Sequence, residues 1–547
     1  MLQVKNQEKM QKLLEIIRSK GIATKSNQEI ISPNGDYASW LIDLRNVFLR
    51  PDALSLIVDI FWEEMEKYYP FQVGGQEVAA IPLVAAIVLK SQMMGKPVSG
   101  FVMRKSRKKY GLQKIIEGEV TAEKIILVDD LINSGGTAFR QIKILEEINK
   151  QPEIFFSIVN FRKEQSKEFL KKQGVELVSL FNLDDMHISL GEDVKSCLQA
   201  KDYYKIIWRF QSPNPTNYYS VPKSTPCIDE DKIYFGSDSG IFWALNQSNG
   251  LVVWKFEIGY NPGRKGIFSS PVIYGDLVYF GAYDGNVYAL NRETGKFKWK
   301  YMDADFVGSS PAIAPELNLL FIGLEFSLTG KHGGVVALDL KTGKKIWEHT
   351  MREFVHCSPA YFSPKKLLAI GGNDSFVYLF EAETGKLKWK YQTGGPIKSS
   401  LVFDEKRNLL IFGSFDKNLY ALDLDTGEVK GKFATREAIY STPKIISDDV
   451  VVASLDKHLY SVNLETGKMN WKFVTGGRIF SSPEIIEGKI FICSNDGKMY
   501  EINSESGKAE SFFQASERIT NRVVYDAKNK RFFVSTGANE IYCLKKT

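Results

Sequence analysis

Cysteine is scarce, and the five present in 547 residues (Cys197, Cys227, Cys357, Cys493 and Cys543) are scattered without Cys-x-x-Cys spacing or a nearby histidine. That pattern argues against a disulfide framework and against a zinc site, and the thiols read as small buried hydrophobes. No run of eighteen apolar residues occurs, so no membrane span is expected. The first nine residues, Met-Leu-Gln-Val-Lys-Asn-Gln-Glu-Lys, lack the apolar stretch of a signal peptide. A cytoplasmic location is the expectation. Charge of one sign is not in large excess: a formal net charge of +6 is small for this length and gives nucleic acid little support as a partner.

The chain is too long for one core, and two domains of different texture are read, residues 1–200 and 206–547. The first alternates helical and strand patterns: an amphipathic stretch from Glu8 to Ser19, an apolar run from Val78 to Leu89, a helix from Ala138 to Asn149, a strand from Ile154 to Val159, and a helix from Lys163 to Gln173 closed by Gly174. This succession predicts an α/β fold with a right-handed βαβ unit.

The chemistry of this domain rests on Ile125 to Thr137. Ile125 to Val128 form an unbroken β-branched and aliphatic run, as expected of a parallel strand buried on both faces. Asp129 and Asp130 fall at its carboxyl end, where open α/β sheets bind ligands, and two acceptor-only carboxylates suit the vicinal hydroxyls of a ribose. Asn133, Ser134, Gly135, Gly136 and Thr137 follow as a small-residue loop whose backbone N–H groups can meet a phosphate, with Thr137 opening a helix. The alternative is that Asp129 and Asp130 merely cap that helix.

This segment resembles the phosphoribosyl pyrophosphate (PRPP) signature of the type I phosphoribosyltransferases. The resemblance extends upstream, where Arg104-Lys105-Ser106-Arg107-Lys108-Lys109-Tyr110-Gly111 and Ile116-Glu117-Gly118 look like the mobile catalytic loop of orotate phosphoribosyltransferases. With Asp43-Leu44-Arg45 and Phe161-Arg162-Lys163-Glu164 it covers roughly residues 1 to 195. It implies that Lys108, Asp129 and Asp130 are catalytic, and that Arg104, Lys105, Lys109, Asn133, Ser134, Gly135, Gly136, Thr137, Gly75 and Gln76 bind PRPP. It also implies that Arg162 reaches the base, that Mg2+ accompanies PRPP with no side-chain metal ligand assigned, and that the domain forms a homodimer. A solvated basic loop, an ordinary turn at Gly74-Gly75 and a surface Arg162 are the plainer readings of the same residues.

Departures from the family pattern fall on the base side. Tyr110 stands where the family loop carries histidine, Ser106 where it carries glutamate, and Asn133-Ser134 where the phosphate loop carries two threonines. A phenol with a pKa near 10 is a poorer proton carrier at neutral pH than an imidazole near 6.5. Asp36, ahead of Asp43-Leu44-Arg45, would repel a carboxylated base. These departures count against orotate, and the acceptor is read only as base-like.

The second domain is an internal repeat. Gly250, Gly295, Gly343, Gly385, Gly427, Gly467 and Gly507 close turns of the form Asn/Asp/Glu-x-x-Thr-Gly or a close variant, at spacings of 45, 48, 42, 42, 40 and 40. Trp254, Trp299, Trp347, Trp389 and Trp471 come four residues after five of these glycines; Asp238, Asp284, Asp374, Asp416, Asp456 and Asp496 precede six of them by eleven or twelve. A repeat of this length with short alternating strands predicts a β-propeller. Seven units are complete, and an eighth, beginning near Ile519, lacks one strand. Ile206-Ile207-Trp208-Arg209-Phe210 has the missing pattern, so an eight-bladed ring closed by 206–210 is expected.

The repeats resemble those of pyrroloquinoline-quinone (PQQ)-dependent dehydrogenases and their non-enzymatic relatives. PQQ itself is not expected, since neither an axial tryptophan nor a carboxylate cluster for a metal can be assigned. The tryptophans are read as packing between blades, and the insertion Glu325 to Gly333 as a projecting loop that could contact a partner.

Three functions are open at this point: a phosphoribosyltransferase with the propeller as a platform for a protein partner; a non-catalytic PRPP or nucleotide sensor; and a partner-controlled bacterial toxin or antiviral effector.

Overall fold

The computed structural model describes residues 2–24, 30–31, 37–38, 40–104, 115–121, 124–133, 135–186, 203–212, 224–259, 266–327 and 330–547. The chain divides into two compact units, residues 1–201 with 514–516 and residues 202–513 with 517–547.

The first unit is built on six strands: β1 (Phe71–Gln76), β2 (Gly100–Met103), β3 (Ile116–Glu117), β4 (Lys124–Ile132), β5 (Ile154–Asn160) and β6 (Glu176–Asn182). Their order is β6-β5-β4-β1-β2-β3, parallel throughout except for β3 against β2. The longer helices are α1 (Leu2–Ile16), α2 (Pro51–Met65), α3 (Ala80–Met93), α4 (Gly136–Glu146) and α5 (Glu164–Lys172). Pro51 suits the first turn of α2, where its missing N–H has no helical partner to lose. The α2 face carrying Ile57, Phe61 and Met65 is buried with Phe71, Val73, Ile126 and Phe156 of the sheet, and Phe61 meets Phe156 edge to face at 5.0 Å.

Two boundary differences from the sequence reading bear on the site, the others being shifts at element ends away from it. Strand β4 runs on through Asp129 and Asp130 to Ile132, because β5 continues to pair with it: Asp129 sits opposite Ser157 and Ile132 opposite Asn160. Helix α4 stops at Glu146, three residues short of Asn149, which adopts a positive φ of 57° and ends the helical path.

The second unit is an eight-bladed propeller of four-stranded sheets. In the last sheet Tyr204–Gln211 pairs antiparallel with Glu540–Lys546, outside Arg531–Ser535 and Val524–Asp526. The repeated residues have separate structural jobs. Each Trp reaches the following turn: the Trp254 indole donates to the Arg292 carbonyl at 2.9 Å, and a Cβ on Gly295 would meet that indole at 2.6 Å. The turn glycine also has φ near +70°, so glycine is required there twice over. Five of the six aspartates accept from a tyrosine four residues on, as in Tyr378 to Asp374 and Tyr420 to Asp416, both 2.6 Å; Asp238 has Phe242 at that place. They brace turns.

The insertion in the third blade is not a free loop for most of its length. It lengthens two strands, Leu319–Phe326 and His332–Asp339, with Glu325 opposite Gly333 and Phe326 stacked on His332 at 4.5 Å. Glu325 is buried, and residues 328–329 lie outside the described residues.

Candidate functional site

Strand β1 and strand β4 are neighbours in the middle of the sheet, so the turn after one and the carboxylates of the other face the same end. Gly75 makes their close approach to α3 feasible: a Cβ there would lie 2.4 Å from both the Val128 carbonyl oxygen and the Ala80 methyl. A cavity of about 430 Å3 opens at this end. Gln76, Glu77, Val78 and Ala79 line one side, Asp129, Asp130, Leu131 and Thr137 another, and Leu41, Ile42, Asp43 and Arg45 close it. The Glu77–Val78 peptide bond is cis.

The two carboxylates are pinned by their own backbone. Asp129 Oδ1 accepts from the Asp130 N–H and Asp130 Oδ1 from the Leu131 N–H, both at 2.9 Å, and Gln141 of α4 donates to Asp129 Oδ2 at 3.3 Å. Burial raises the Asp129 pKa well above the ordinary carboxylate range, and the adjacent Asp130 adds to this; burial raises Asp130 as well. Neither makes an ion pair among the described residues. Arg45, a cation on the cavity wall, is bound to Asp43 through contacts of 2.6 and 2.7 Å, and Asp43 is held below the ordinary range by that guanidinium. Two hard oxygen donors with an unmet demand for positive charge fit Mg2+, which is commonly held by one or two carboxylates while substrate phosphates and water complete its shell. No group of three or more His, Cys, Asp or Glu residues capable of holding a metal occurs among the described residues.

Gln76 is oriented from behind, since Arg140 of α4 donates to its Oε1 at 2.9 Å. Gly135 has φ +80°, and the Phe169 ring lies 2.6 Å from where its Cβ would be. It allows the chain to turn from β4 into α4, which places Thr137 on the cavity wall.

Of the residues named from sequence, the structure gathers Gln76, Asp129, Asp130 and Thr137 on one cavity, with Gly75 directly behind. Asn133, Gly135 and Gly136 belong to the turn behind Thr137 and are not on the wall. Arg104 is off the wall too; it pairs with Glu117 at 3.4 Å and reaches Glu77 at 4.0 Å. The Arg162 guanidinium donates to Asn133 Oδ1 at 2.9 Å, away from the cavity. Lys105, Lys108, Lys109, Ser134, Ser106, Tyr110 and Asp36 lie outside the described residues. Leu41, Ile42 and Leu131 on the wall, and Arg140 and Gln141 behind it, were not singled out from sequence. For the last two, their place one turn into a helix after a small-residue loop was the available signal.

Comparison with known proteins matches the two units to different sources. The orotate phosphoribosyltransferase of Pyrococcus abyssi is 32% identical over 165 residues, which is 29% of this chain and 87% of that enzyme. A family model described as the beta-propeller of beta-alanine-activating enzyme matches residues 324–547, and one described as outer membrane protein assembly factor BamB matches 204–354. Among solved structures, BamB from Moraxella catarrhalis superposes with a TM-score of 0.50 at 17% identity, covering 62% of this chain and 97% of BamB. Quinohemoprotein alcohol dehydrogenase ADHIIG from Pseudomonas putida HK5 gives 0.53 at 15% identity, covering 63% and 76%. At these identities the propeller matches show the fold alone. Among the described residues no helix is long and apolar enough to cross a membrane.

Proposed function

We propose, for a chain that belongs to the orotate phosphoribosyltransferase family through its first unit, that the cavity at the end of β1 and β4 binds PRPP with Mg2+ and transfers its phosphoribosyl group to a base-like acceptor. The observation that carries this reading is the pair Asp129 and Asp130, adjacent on the cavity wall, the first buried and the second half-buried, neither ion-paired among the described residues, and one turn from Thr137 at the start of α4. Paired carboxylates in such a setting hold a vicinal diol through its two O–H groups, while the amino-terminal end of a helix favours the ester phosphate.

In the transfer, the bond from the ribose C1 to the pyrophosphate oxygen breaks, the electron pair leaves with pyrophosphate, and a ring nitrogen of the acceptor forms the new bond to C1 and releases its proton to water. Asp129 and Asp130 are the side chains that could hold Mg2+ beside the substrate phosphates, where it would supply positive charge to the departing pyrophosphate. The protein's own share is to position the ribose and to favour positive charge at C1 with the two carboxylates. Lys105, Lys108 and Lys109 are proposed to meet the pyrophosphate, with Lys108 in the catalytic role. Arg104, Asn133, Ser134, Gly135, Gly136 and Gly75 support the substrate-binding turns, and Arg162 acts on the base side. The propeller is proposed to serve as a rigid platform for a protein partner.

The test is incubation with Mg2+, PRPP and a panel of nucleobases, reading pyrophosphate release. Release with one base, lost in Asp130→Asn, supports the reading. Saturable PRPP binding with no release for any base would replace it with a PRPP sensor, the role favoured by tyrosine and serine at positions 110 and 106. Unchanged binding and turnover in Asp130→Asn would refute the site.

A further inference from the structure

The second unit holds a larger cavity than the first, of about 590 Å3, on the axis of its ring. The second to eighth blades are each preceded by a buried aliphatic residue and then by one residue that lines the cavity, a glycine (Gly308) in the third. From the second, fourth, fifth, sixth, seventh and eighth blades these are Phe268, His356, Lys398, Tyr440, Phe480 and Thr520. In a ring of eight, the second and sixth blades face each other, so Phe268 and Tyr440 enter from opposite sides. Each is backed by a second ring: Phe268 by Tyr283 at 5.0 Å and Tyr440 by Phe480 at 5.5 Å.

The polar part of the wall is rich in donors. Lys398, Lys444, Arg522 and His356 line it, and no carboxylate does among the described residues. Glu484 takes both Lys444 and Arg522, at 3.1 and 3.0 Å, and Glu325 lies beside His356 at 3.2 Å. Lys398 has no ion pair among the described residues; its ammonium sits 4.8 Å from the Phe415 ring centroid, and burial lowers its pKa. A belt of hydroxyls continues the donor surface: Ser270, Ser310, Ser358, Thr442 and Ser482 each accept a backbone N–H from the preceding blade at 2.9–3.2 Å, which leaves the hydroxyl proton to be given elsewhere. Thr520 is a second, independent sign. It is 1% exposed, lines the cavity, and its Oγ1 has no hydrogen-bond partner among the described residues. A buried hydroxyl left in that state calls for a ligand group.

From the cationic wall, the facing aromatic rings and the orphaned Thr520 hydroxyl, we infer that the axial cavity is a binding site for a small organic anion with a planar ring. Its anionic group meets Lys398 and its ring lies between the Phe268 and Tyr440 sides. The volume falls within the range of small-molecule pockets, and a closed ring of blades supplies a preformed wall. No tryptophan lines this cavity, and no cluster of metal-ligating residues occurs among the described residues, so the site is built for charge and stacking and not for a metal-bound quinone.

The test is titration of the full chain with 1-anilinonaphthalene-8-sulfonate, followed by fluorescence, with N-phenyl-1-naphthylamine as the probe that lacks the sulfonate. One saturable site per chain, at least tenfold weaker for the uncharged probe, is expected. Lys398→Met should weaken the sulfonate at least tenfold and leave the uncharged probe unchanged, and Lys398→Arg should restore binding to within a few-fold. Uridine 5′-monophosphate and phthalate, added as competitors, assign the anion to the phosphate or carboxylate class by which one displaces the probe. Equal affinity for the two probes in the native chain, unchanged sulfonate binding in Lys398→Met, or displacement by neither competitor would overturn the inference.

Discussion

The Trp471 indole occupies the space a side chain at Gly507 would need: a Cβ built there lies 2.5 Å from the ring, and the backbone at Gly507 has φ +65°. Gly507→Ala therefore meets both a clash and a disfavoured backbone, and is expected to cost about 2 kcal/mol. Urea unfolding of the full chain followed by tryptophan fluorescence measures it. A change below about 0.5 kcal/mol would mean the seventh blade yields at this seam.

The same relationship is missing once. Residue 431 is glycine, paired with Ala421 in the register that elsewhere pairs Ala289 with Trp299 and Ala337 with Trp347. Accordingly Gly467 has nothing within 4 Å of its Cβ position, alone among the seven turn glycines. Gly431→Trp should fill that gap, its indole N–H reaching the Leu464 carbonyl as Trp389 reaches Leu424 at 2.9 Å. A gain of ~1–2 kcal/mol is expected from the buried ring and from removing a strand glycine. A raised urea midpoint with unchanged slope is the signature, and a lowered one would show that the site cannot take a large ring.

Asp129 carries a stability cost as well as a binding role. Its folded pKa lies well above the ordinary 3.8, so the folded chain binds more protons than the unfolded one from about pH 3.8 upward to that raised value. In that window stability falls as pH rises, by about 1.4 kcal/mol per unit of displacement. Asp129→Asn should thus melt higher than the native chain at neutral pH, with the gain fading as pH falls toward 3.8, while its PRPP affinity drops at least tenfold. Thermal denaturation across pH, with calorimetric titration of Mg2+-PRPP, reads both. A neutral-pH melting point unchanged or lowered would contradict the burial argument.

Glu501 has the opposite sign. Burial pushes its carboxyl up, but Lys489 at 2.8 Å and Lys546 at 2.6 Å, with Ser511 and Tyr204, outweigh burial and hold it at about 2 against an ordinary 4.5. Its contribution is present above pH 4.5 and is lost as pH falls from there to about 2. Glu501→Gln should cost roughly 3 kcal/mol at neutral pH, and the difference from the native chain should shrink steadily through that interval. An acid-unfolding series on both proteins checks it; a difference independent of pH would assign the loss to packing.

Much of this architecture could be read from the chain because its determinants are local and repeated. Turn glycines, the tryptophan four residues later and the aspartate before each turn recur within about forty residues, and Asp129 and Asp130 follow directly on the strand that presents them. What could not be read depends on partners far apart in sequence. Arg140 holds Gln76 across 64 residues, Leu41 and Ile42 close the cavity from a segment with no motif, and Tyr204 meets Glu501 across 297. The insertion at Glu325 to Gly333 misled for a related reason: length alone suggests a loop, whereas alternate residues on both arms can pair and extend a hairpin.

The seam of the propeller has a consequence for how the protein is made. Arg209 on one side of it is separated from Glu540 on the other by 331 residues, so the strand that seals the ring leaves the ribosome long before the strand it must join. Throughout that interval seven blades can assemble on an open arc with two unpaired edges, and a nascent chain stalled before Glu540 presents those edges to any neighbour.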